Sequence, residues 1–403
     1  MPNMSTEKIL FVYDPTNDNS KINEYKNHSQ NSFTCMHAES IAQAKTIIAE
    51  NNIDLVLATA DLSDGSGTEL HKYIVNNCNT IIRFLYSENS DKNIVYQSAG
   101  YIHQFMNADC DPHQFINIVH NSFNLRTILS NNDLHARIAG ITNLPSPPEI
   151  YNQLVAELQS DDPSIRNIAD LIKNDISITA KMLHMVNSAY FGLSTHVENP
   201  LHAVHLLGID TIQSMVLTAG VFNLFTDPGI PGFSLDSIYT NSLAVGTSSR
   251  HLANAFGLIT KHTEDALMAG MLHDIGKLIM LSYFPQEFKK SVELASQKSI
   301  PLFEAEKEVI GVTDAEIGAH LLSLWGLPSS ILEAIALHYT PKVTPAPMTN
   351  VLTAVHLGYA INHDILNNVK GNEKSAVDME YLEQLNLSSN VESLKNFCMA
   401  ATA

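Results

Sequence analysis

His273 and Asp274 stand side by side in the stretch Ala269-Gly270-Met271-Leu272-His273-Asp274-Ile275-Gly276-Lys277-Leu278. Imidazole and carboxylate are side chains that hold a divalent ion, and an ion so held activates water for hydrolysis. Both are costly to bury unless they are bonded to something. The surrounding run is apolar: Ala266, Leu267, Met271, Leu272, Ile275, Leu278 and Ile279 recur at spacings of three and four and predict one helix through the pair. A hydrolytic centre needs about three protein ligands and an open position for water. The pair supplies two, so its chemistry depends on what else the chain brings to it.

The elements that must position these residues fall into two kinds. From residue 8 to 122, strand-like and helix-like patterns alternate. Ile9-Leu10-Phe11-Val12-Tyr13-Asp14, Ile53-Asp54-Leu55-Val56-Leu57, Thr80-Ile81-Ile82-Arg83-Phe84-Leu85-Tyr86-Ser87 and Ile102-His103-Gln104-Phe105-Met106 read as strands, and Ser40 to Ile48 as a helix. A further helix starts with Asp111 as its cap and Pro112 in its first turn. Apolar strands separated by helices imply a parallel sheet covered on both faces. Phe115, Val119 and Phe123 share one face of that last helix, which can serve as a connector or as the seam of a homodimer, with core packing the commoner explanation. Asn131-Asn132-Asp133 weakens it and Gly140 to Pro148 ends it. From Leu144 the pattern is all-helical, with Asp162 capping one helix, Asp175 capping the next as far as Gly192, and Asp210 opening a third. The expected organisation is a sheet domain over 1–125, a helical linker over 126–143, a helical domain over 144–362, and a C-terminal extension over 363–403 with one or two short helices.

The 403-residue chain carries 23 Lys and Arg against 42 Asp and Glu, a net charge of −19, and has no Lys or Arg between Lys181 and Arg250. That excludes an electrostatic nucleic-acid mode. The Gly208-Ile209-Asp210 break has the look of a helix-turn-helix but no cation beside it. No apolar run approaches the roughly 20 residues that span a bilayer, and the N-terminal residues lack the basic start and apolar core of a secretion signal. The four cysteines, Cys35, Cys78, Cys110 and Cys398, show no CxxC spacing and read as free thiols of a reducing cytoplasm.

The first half resembles the receiver domain of two-component response regulators. The resemblance is carried by Asp54-Leu55-Val56-Leu57, then Leu62-Ser63-Asp64-Gly65-Ser66-Gly67-Thr68-Glu69-Leu70, and later Phe105-Met106 before Asp111-Pro112. It implies a flavodoxin-like, doubly wound α/β fold. Aligned on Asp64-Gly65-Ser66-Gly67, the phospho-accepting position falls on Thr59, the acidic pair is reduced to Tyr13-Asp14, the lysine position becomes Ala108, and Ser87 stands at the hydroxyl position. Threonine cannot form an acyl-phosphate, and phosphoryl transfer needs a magnesium ion held by carboxylates. Asp61, two residues on, is the alternative acid. The expectation is a pseudoreceiver: the fold retained, without phosphorylation.

The second half resembles the HDOD domain, a helical signalling module related to the HD phosphohydrolases. The carrying strings are Leu144-Pro145-Ser146-Pro147-Pro148, Ala180-Lys181-Met182-Leu183, Val186-Asn187-Ser188-Ala189-Tyr190-Phe191-Gly192, Ala203-Val204-His205-Leu206-Leu207-Gly208-Ile209-Asp210, Leu272 to Lys277, and Leu324-Trp325-Gly326-Leu327-Pro328. The resemblance implies an all-α domain, found in bacterial regulators, generally non-catalytic and acting through partner proteins. The HD histidine of the preceding helix falls on Asn241, His251 lies ten residues too far along, and Val351 to Ala360 offers His356 but no closing aspartate. His338-Tyr339-Thr340-Pro341 does not match the tandem-His and Gly-Tyr-Pro signature of cyclic-di-GMP phosphodiesterases.

Three readings stay open for His273 and Asp274: a buried hydrogen-bonded pair, a divalent metal bound without turnover, and a working hydrolase. The sequence leads to a cytoplasmic signalling regulator with no catalytic residue and no required cofactor. Its expected partners are other signalling proteins or a second copy of the chain, with neither nucleic acid nor membrane. The competing reading is a metal-dependent phosphohydrolase acting on a nucleotide or cyclic nucleotide.

Overall fold

The computed structural model describes residues 7–17, 20–78, 81–88, 98, 101–106, 110–130, 134, 137–138, 141, 145–160, 163–191, 193, 196–226, 233–366 and 375–402, without the side chains of 397 and 399–402. Leu144, Ala108, Asp162, Gly192, Gly140 and residues 131–133, which carry expectations above, lie outside this set. The chain divides into two compact units, residues 1–123 with the short stretches 158–161 and 326–329, and the remainder.

In the first unit, five parallel strands stand in the order β2-β1-β3-β6-β7. They are β1 (Lys8–Val12), β2 (Thr34–Ala38), β3 (Leu55–Thr59), β6 (Ile82–Tyr86) and β7 (Gln104–Met106); β4 (Asp61–Leu62) and β5 (Gly65–Ser66) form a small antiparallel hairpin after β3. This is the flavodoxin-like doubly wound order. Successive side chains of a strand point to opposite faces, and here both faces are covered. Ile9, Phe11, Leu55, Leu57 and Phe84 pack with Ile22, Tyr25, Phe115, Val119 and Phe123 on one side. Leu10, Val12, Val56 and Ala58 pack with Ile41, Ala44, Ile48, Leu70 and Ile74 on the other. That double burial is why the central strands read as unbroken apolar runs. β2 escaped the sequence reading because Thr-Cys-Met-His-Ala is an edge strand, buried fully only at Ala38.

The second unit is helical. The long helix Leu235–Ala255 lies between helices Thr260–Leu272 and Val351–Leu366. Small residues set the spacing of this trio. A Cβ on Gly270 would lie 2.7 Å from the Gly246 Cα, and one on Gly358 would lie 2.4 Å from Ser249 Oγ. Asp175 caps Ile176–Val186 as expected, accepting from the Ile178 amide. Two expectations need correction. The helix expected to be capped by Asp162 begins instead at Ser164, whose hydroxyl accepts from the Asn167 amide. Asp210 lies in the first turn of Ile209–Asn223, and Gly208, with φ of 81°, takes the N-cap.

The most consequential correction concerns the helix expected to run through His273 and Asp274. It is two helices, Thr260–Leu272 and Ile275–Tyr283, with the pair at the joint and Asp274 at φ −94°, ψ 8°. The apolar spacing survives the break because both helices are largely buried, the first at every residue from Thr263 to Leu272. The second helix presses its first turn against the start of Asp314–Leu324, where a Cβ on Gly276 would come 1.8 Å from the Asp314 carbonyl oxygen. Backbone cannot move aside as a side-chain tip can. Gly276→Ala should therefore cost about 3 kcal/mol, at the upper end for overpacking, read as a lower urea midpoint with unchanged slope. An unchanged midpoint would contradict this packing.

Candidate functional site

Asn241 projects from the helix Leu235–Ala255, His273 and Asp274 from the joint, and Lys277 from the first turn of Ile275–Tyr283. Asp314 opens the next helix of the cluster, and His338 and Tyr339 follow Ser329–Leu337. His273, Asp314 and His338 are fully buried and Asp274 nearly so. The bonds are specific. His273 Nδ1 lies 2.7 Å from the Gly270 carbonyl, which assigns the proton to Nδ1 and leaves Nε2 as the acceptor. Asn241 Nδ2 reaches both His273 Nε2 (3.4 Å) and Asp274 Oδ2 (3.2 Å). Lys277 Nζ donates to Asp274 Oδ1 at 2.5 Å and lies 3.9 Å from Asp314 Oδ2. Tyr339 OH donates to Asp314 Oδ2 at 3.2 Å, and its ring lies 5.7 Å from the ammonium. The Asp314 amide donates to Glu306 Oε2 at 3.0 Å.

Electrostatics follow from burial and these neighbours. Burial alone would raise the Asp274 carboxyl, but the adjoining His273 and Lys277 hold it below the usual carboxylate range. Burial works to lower Lys277, and the charges of Asp274 and Asp314 override it, raising the ammonium above an ordinary lysine. Desolvation pushes His273 and His338 down, so both imidazoles are neutral at physiological pH. Burial raises Asp314 against the pull of Lys277, and it raises Glu306 well above its ordinary value, with the Asp314 carboxyl adding to the shift.

A resident divalent ion does not fit this set. The Asp274 oxygen that would ligate it carries the ammonium, and the His273 acceptor nitrogen faces the Asn241 amide. Among the described residues no group of three or more His, Cys, Asp or Glu is arranged to hold a metal. His356 spends both nitrogens on backbone, Nδ1 at the His338 carbonyl and Nε2 at the Asp378 amide. The acid of that helix is Asp364, and it binds Ser375, the Ala376 amide and Lys395. Both residues thus tie the C-terminal segment down. Asn187 bonds backbone likewise, bracketing Val197 from both sides, and Trp325 donates to the Pro145 carbonyl at 3.0 Å.

Sequence reasoning found His273, Asp274 and Asn241 but missed Lys277, Glu306, Asp314 and Tyr339 as members of the cluster. Lys277 carried a signal, lying three residues after Asp274 and so on its side of a helix. Asp314 carried none, because Thr313 and Glu316 form a capping box that explains an acid there as a helix start.

The receiver-like positions sit at the carboxyl ends of the central strands. Thr59 ends β3, paired with Tyr86, and its hydroxyl donates to the Asp61 carbonyl at 2.9 Å. Asp14 Oδ1 accepts from the amide and hydroxyl of Thr16. Ser87 follows β6 and is buried, its amide donating to the Met106 carbonyl. Ala108 lies outside the described residues.

Glu306 gives the cluster a pH signature. Its raised value means that the folded state keeps a proton which the unfolded chain has lost, so this stability is present below the ordinary glutamate value and drains as pH rises. Asp274, held low, has the opposite sign and loses its contribution as pH falls below the carboxylate range. Glu306→Gln keeps the amide acceptor and stays neutral. Its stability relative to the parent should therefore climb as pH rises above the ordinary glutamate value, by at most about 1.4 kcal/mol per pH unit. Parallel pH profiles of denaturant midpoints would contradict the buried, protonated carboxyl.

Residues 144–341 match the family model of the HDOD domain. A putative phosphohydrolase from Shewanella amazonensis is 21% identical with a TM-score of 0.53, the match covering 68% of this chain and 96% of that one. An HDOD domain protein with unknown function from Geobacter sulfurreducens is 20% identical with a TM-score of 0.51, covering 69% and 99%. An uncharacterized protein of Treponema pallidum (strain Nichols) is 25% identical over 220 residues, 53% of this chain, which spans 41% of that relative's length. No helix among the described residues is long and apolar enough to cross a membrane. Residues 144–341 are thus an HDOD domain, and they follow a unit of five parallel strands in the flavodoxin-like order.

Proposed function

We propose that this protein is a cytoplasmic signal-transduction regulator that works through contacts with other signalling proteins, its HDOD domain non-catalytic and its receiver-like unit a pseudoreceiver. The observation that carries the reading is the Lys277 ammonium on Asp274. A hydrolytic metal would need that carboxylate oxygen, and with Asn241 at the preceding-helix position the ligand count stays at two. Support in the first unit is chemical. Thr59 has no carboxylate to phosphorylate, and Asp14 has one oxygen committed to Thr16. The sparse positive charge argues for protein surfaces as targets.

The reading is tested with the purified full-length chain in Mg²⁺ or Mn²⁺. A panel of nucleoside phosphates and cyclic mono- and dinucleotides should show no turnover above a blank, and a small-molecule phosphodonor should add no phosphoryl mass. Turnover that vanishes in His273→Ala would establish the phosphohydrolase instead. A stoichiometric adduct on Asp61 would end the pseudoreceiver assignment.

A further inference from the structure

One carboxylate fastens both ends of the C-terminal segment. Asp364, in the last turn of the helix Val351–Leu366, accepts on Oδ2 from the Ser375 hydroxyl and from Lys395 Nζ at 3.2 Å. Its Oδ1 accepts from the Ala376 amide at 2.9 Å. Ser375 and Ala376 stand at the start of the segment, and Lys395 in its final helix, Val391–Thr402. An anion in the last turn of a helix meets the negative end of the helix dipole, and this one is only 3% exposed. Apart from His363 beside it, the donors that sustain its burial come from the segment. When the segment lifts, water replaces those donors and no charge is stranded. The segment buries Val377, Tyr381, Leu382, Val391 and Cys398, and its final helix lies against Leu235–Ala255 and Val351–Leu366. Its helices Met379–Gln384 and Val391–Thr402 have six and twelve residues. Helices so short do not persist alone in water, so docking and folding go together.

A second contact leads inward. The Asp378 amide donates to His356 Nε2 at 3.0 Å, His356 Nδ1 donates to the His338 carbonyl at 2.8 Å, and His338 Nδ1 donates to the Ile335 carbonyl at 2.8 Å. The His338 ring stands edge-on to that of His273, 5.3 Å away. One imidazole thus holds the segment with one nitrogen and the backbone of the buried centre with the other. Tyr381 of the segment shares a hydrogen bond with the Thr353 hydroxyl at 2.8 Å, three residues before His356 on the same helix.

We propose that residues 375–402 are a detachable strap, latched by Asp364, whose docking is relayed to the His273–Asp274 joint through His356. The relay needs no reaction at the joint, so this goes beyond the signalling reading and does not depend on it. Lifting the strap takes the Asp378 amide from His356 Nε2, frees the ring to turn, and loosens the His338 carbonyl on which its other nitrogen rests. The strap is then an element with two states, docked and lifted, that differ at the buried centre.

The test is hydrogen exchange read by mass spectrometry on the full-length protein, comparing the parent with Asp364→Asn and Lys395→Met. The amide offers one acceptor oxygen where the carboxylate offered two. In Asp364→Asn the amides of 376–395 should exchange about 10–100-fold faster, the size expected from losing a hydrogen bond to a charged group. Those of 271–278 and 336–340 should exchange about 2–10-fold faster, as for one neutral bond, while Ile209–Asn223 keeps the parental rate. Lys395→Met, changed on the strap itself, should give the same pattern more weakly. Parental exchange over 376–395 in both variants would overturn the proposal. So would a freed strap with parental rates at 271–278. If Asp364→Asn does not fold, exchange of the parent in graded low urea decides. A strap that opens ahead of Ile209–Asn223 upholds the proposal, and a single opening step for both overturns it.

Discussion

A lysine ammonium meets an aspartate carboxylate inside the helical domain, where a helix joint, the head of a second helix and the flank of a third converge. Neither charge is tolerable there alone. Their attraction, the Asn241 amide on the other carboxylate oxygen and the tyrosine above the ammonium together offset desolvation. Asp274 stands at the joint between two helices, and Lys277, three residues on, reaches it from the first turn of the second.

The packing around the centre depends on small residues at the crossings. Gly276 lets the helix carrying Lys277 approach the backbone at Asp314, and this brings the second carboxylate within range of the ammonium. Gly246, Gly270 and Gly358 do the same for the trio that holds Asn241. Close helix contact is thus the means by which residues 241, 274, 277 and 314 become neighbours, and loss of one crossing would loosen the ion pair before it touched the rest of the core. The C-terminal segment is held by the same helix that flanks the centre, through His356 and Asp364.

Much of the fold is legible in the residues. β1, β3 and β6 announce themselves as apolar runs because both sheet faces are covered, and Asp175 and Asp111 mark helix starts by their bonding chemistry. β2 is hidden because an edge strand with polar residues lacks that signature. The helix break is hidden because hydrophobic spacing reports which side is buried and not whether the backbone is continuous. At the site, His273 and Asp274 could be found from their cost in an apolar run. Asp314 lies 40 residues later in a segment whose local chemistry is fully accounted for by a capping box, so only the tertiary fold reveals its partner. The lysine that answers the aspartate was in plain view in the same motif.

The two units pose the same chemical question, which groups stand where a phosphoryl or an ion would be held. In the first unit a threonine stands at the strand end where a carboxylate would be modified. In the second an ammonium stands on the carboxylate that would hold an ion. The claim that the centre is held by an internal ion pair is tested most directly by a double-mutant cycle on Lys277→Met and Asp274→Asn, with stabilities taken from urea unfolding at pH 7 in chelator. The account predicts a coupling energy of about 2–3 kcal/mol, the double variant being less destabilised than the two single changes summed. Additive effects, with coupling below about 0.5 kcal/mol, would contradict it.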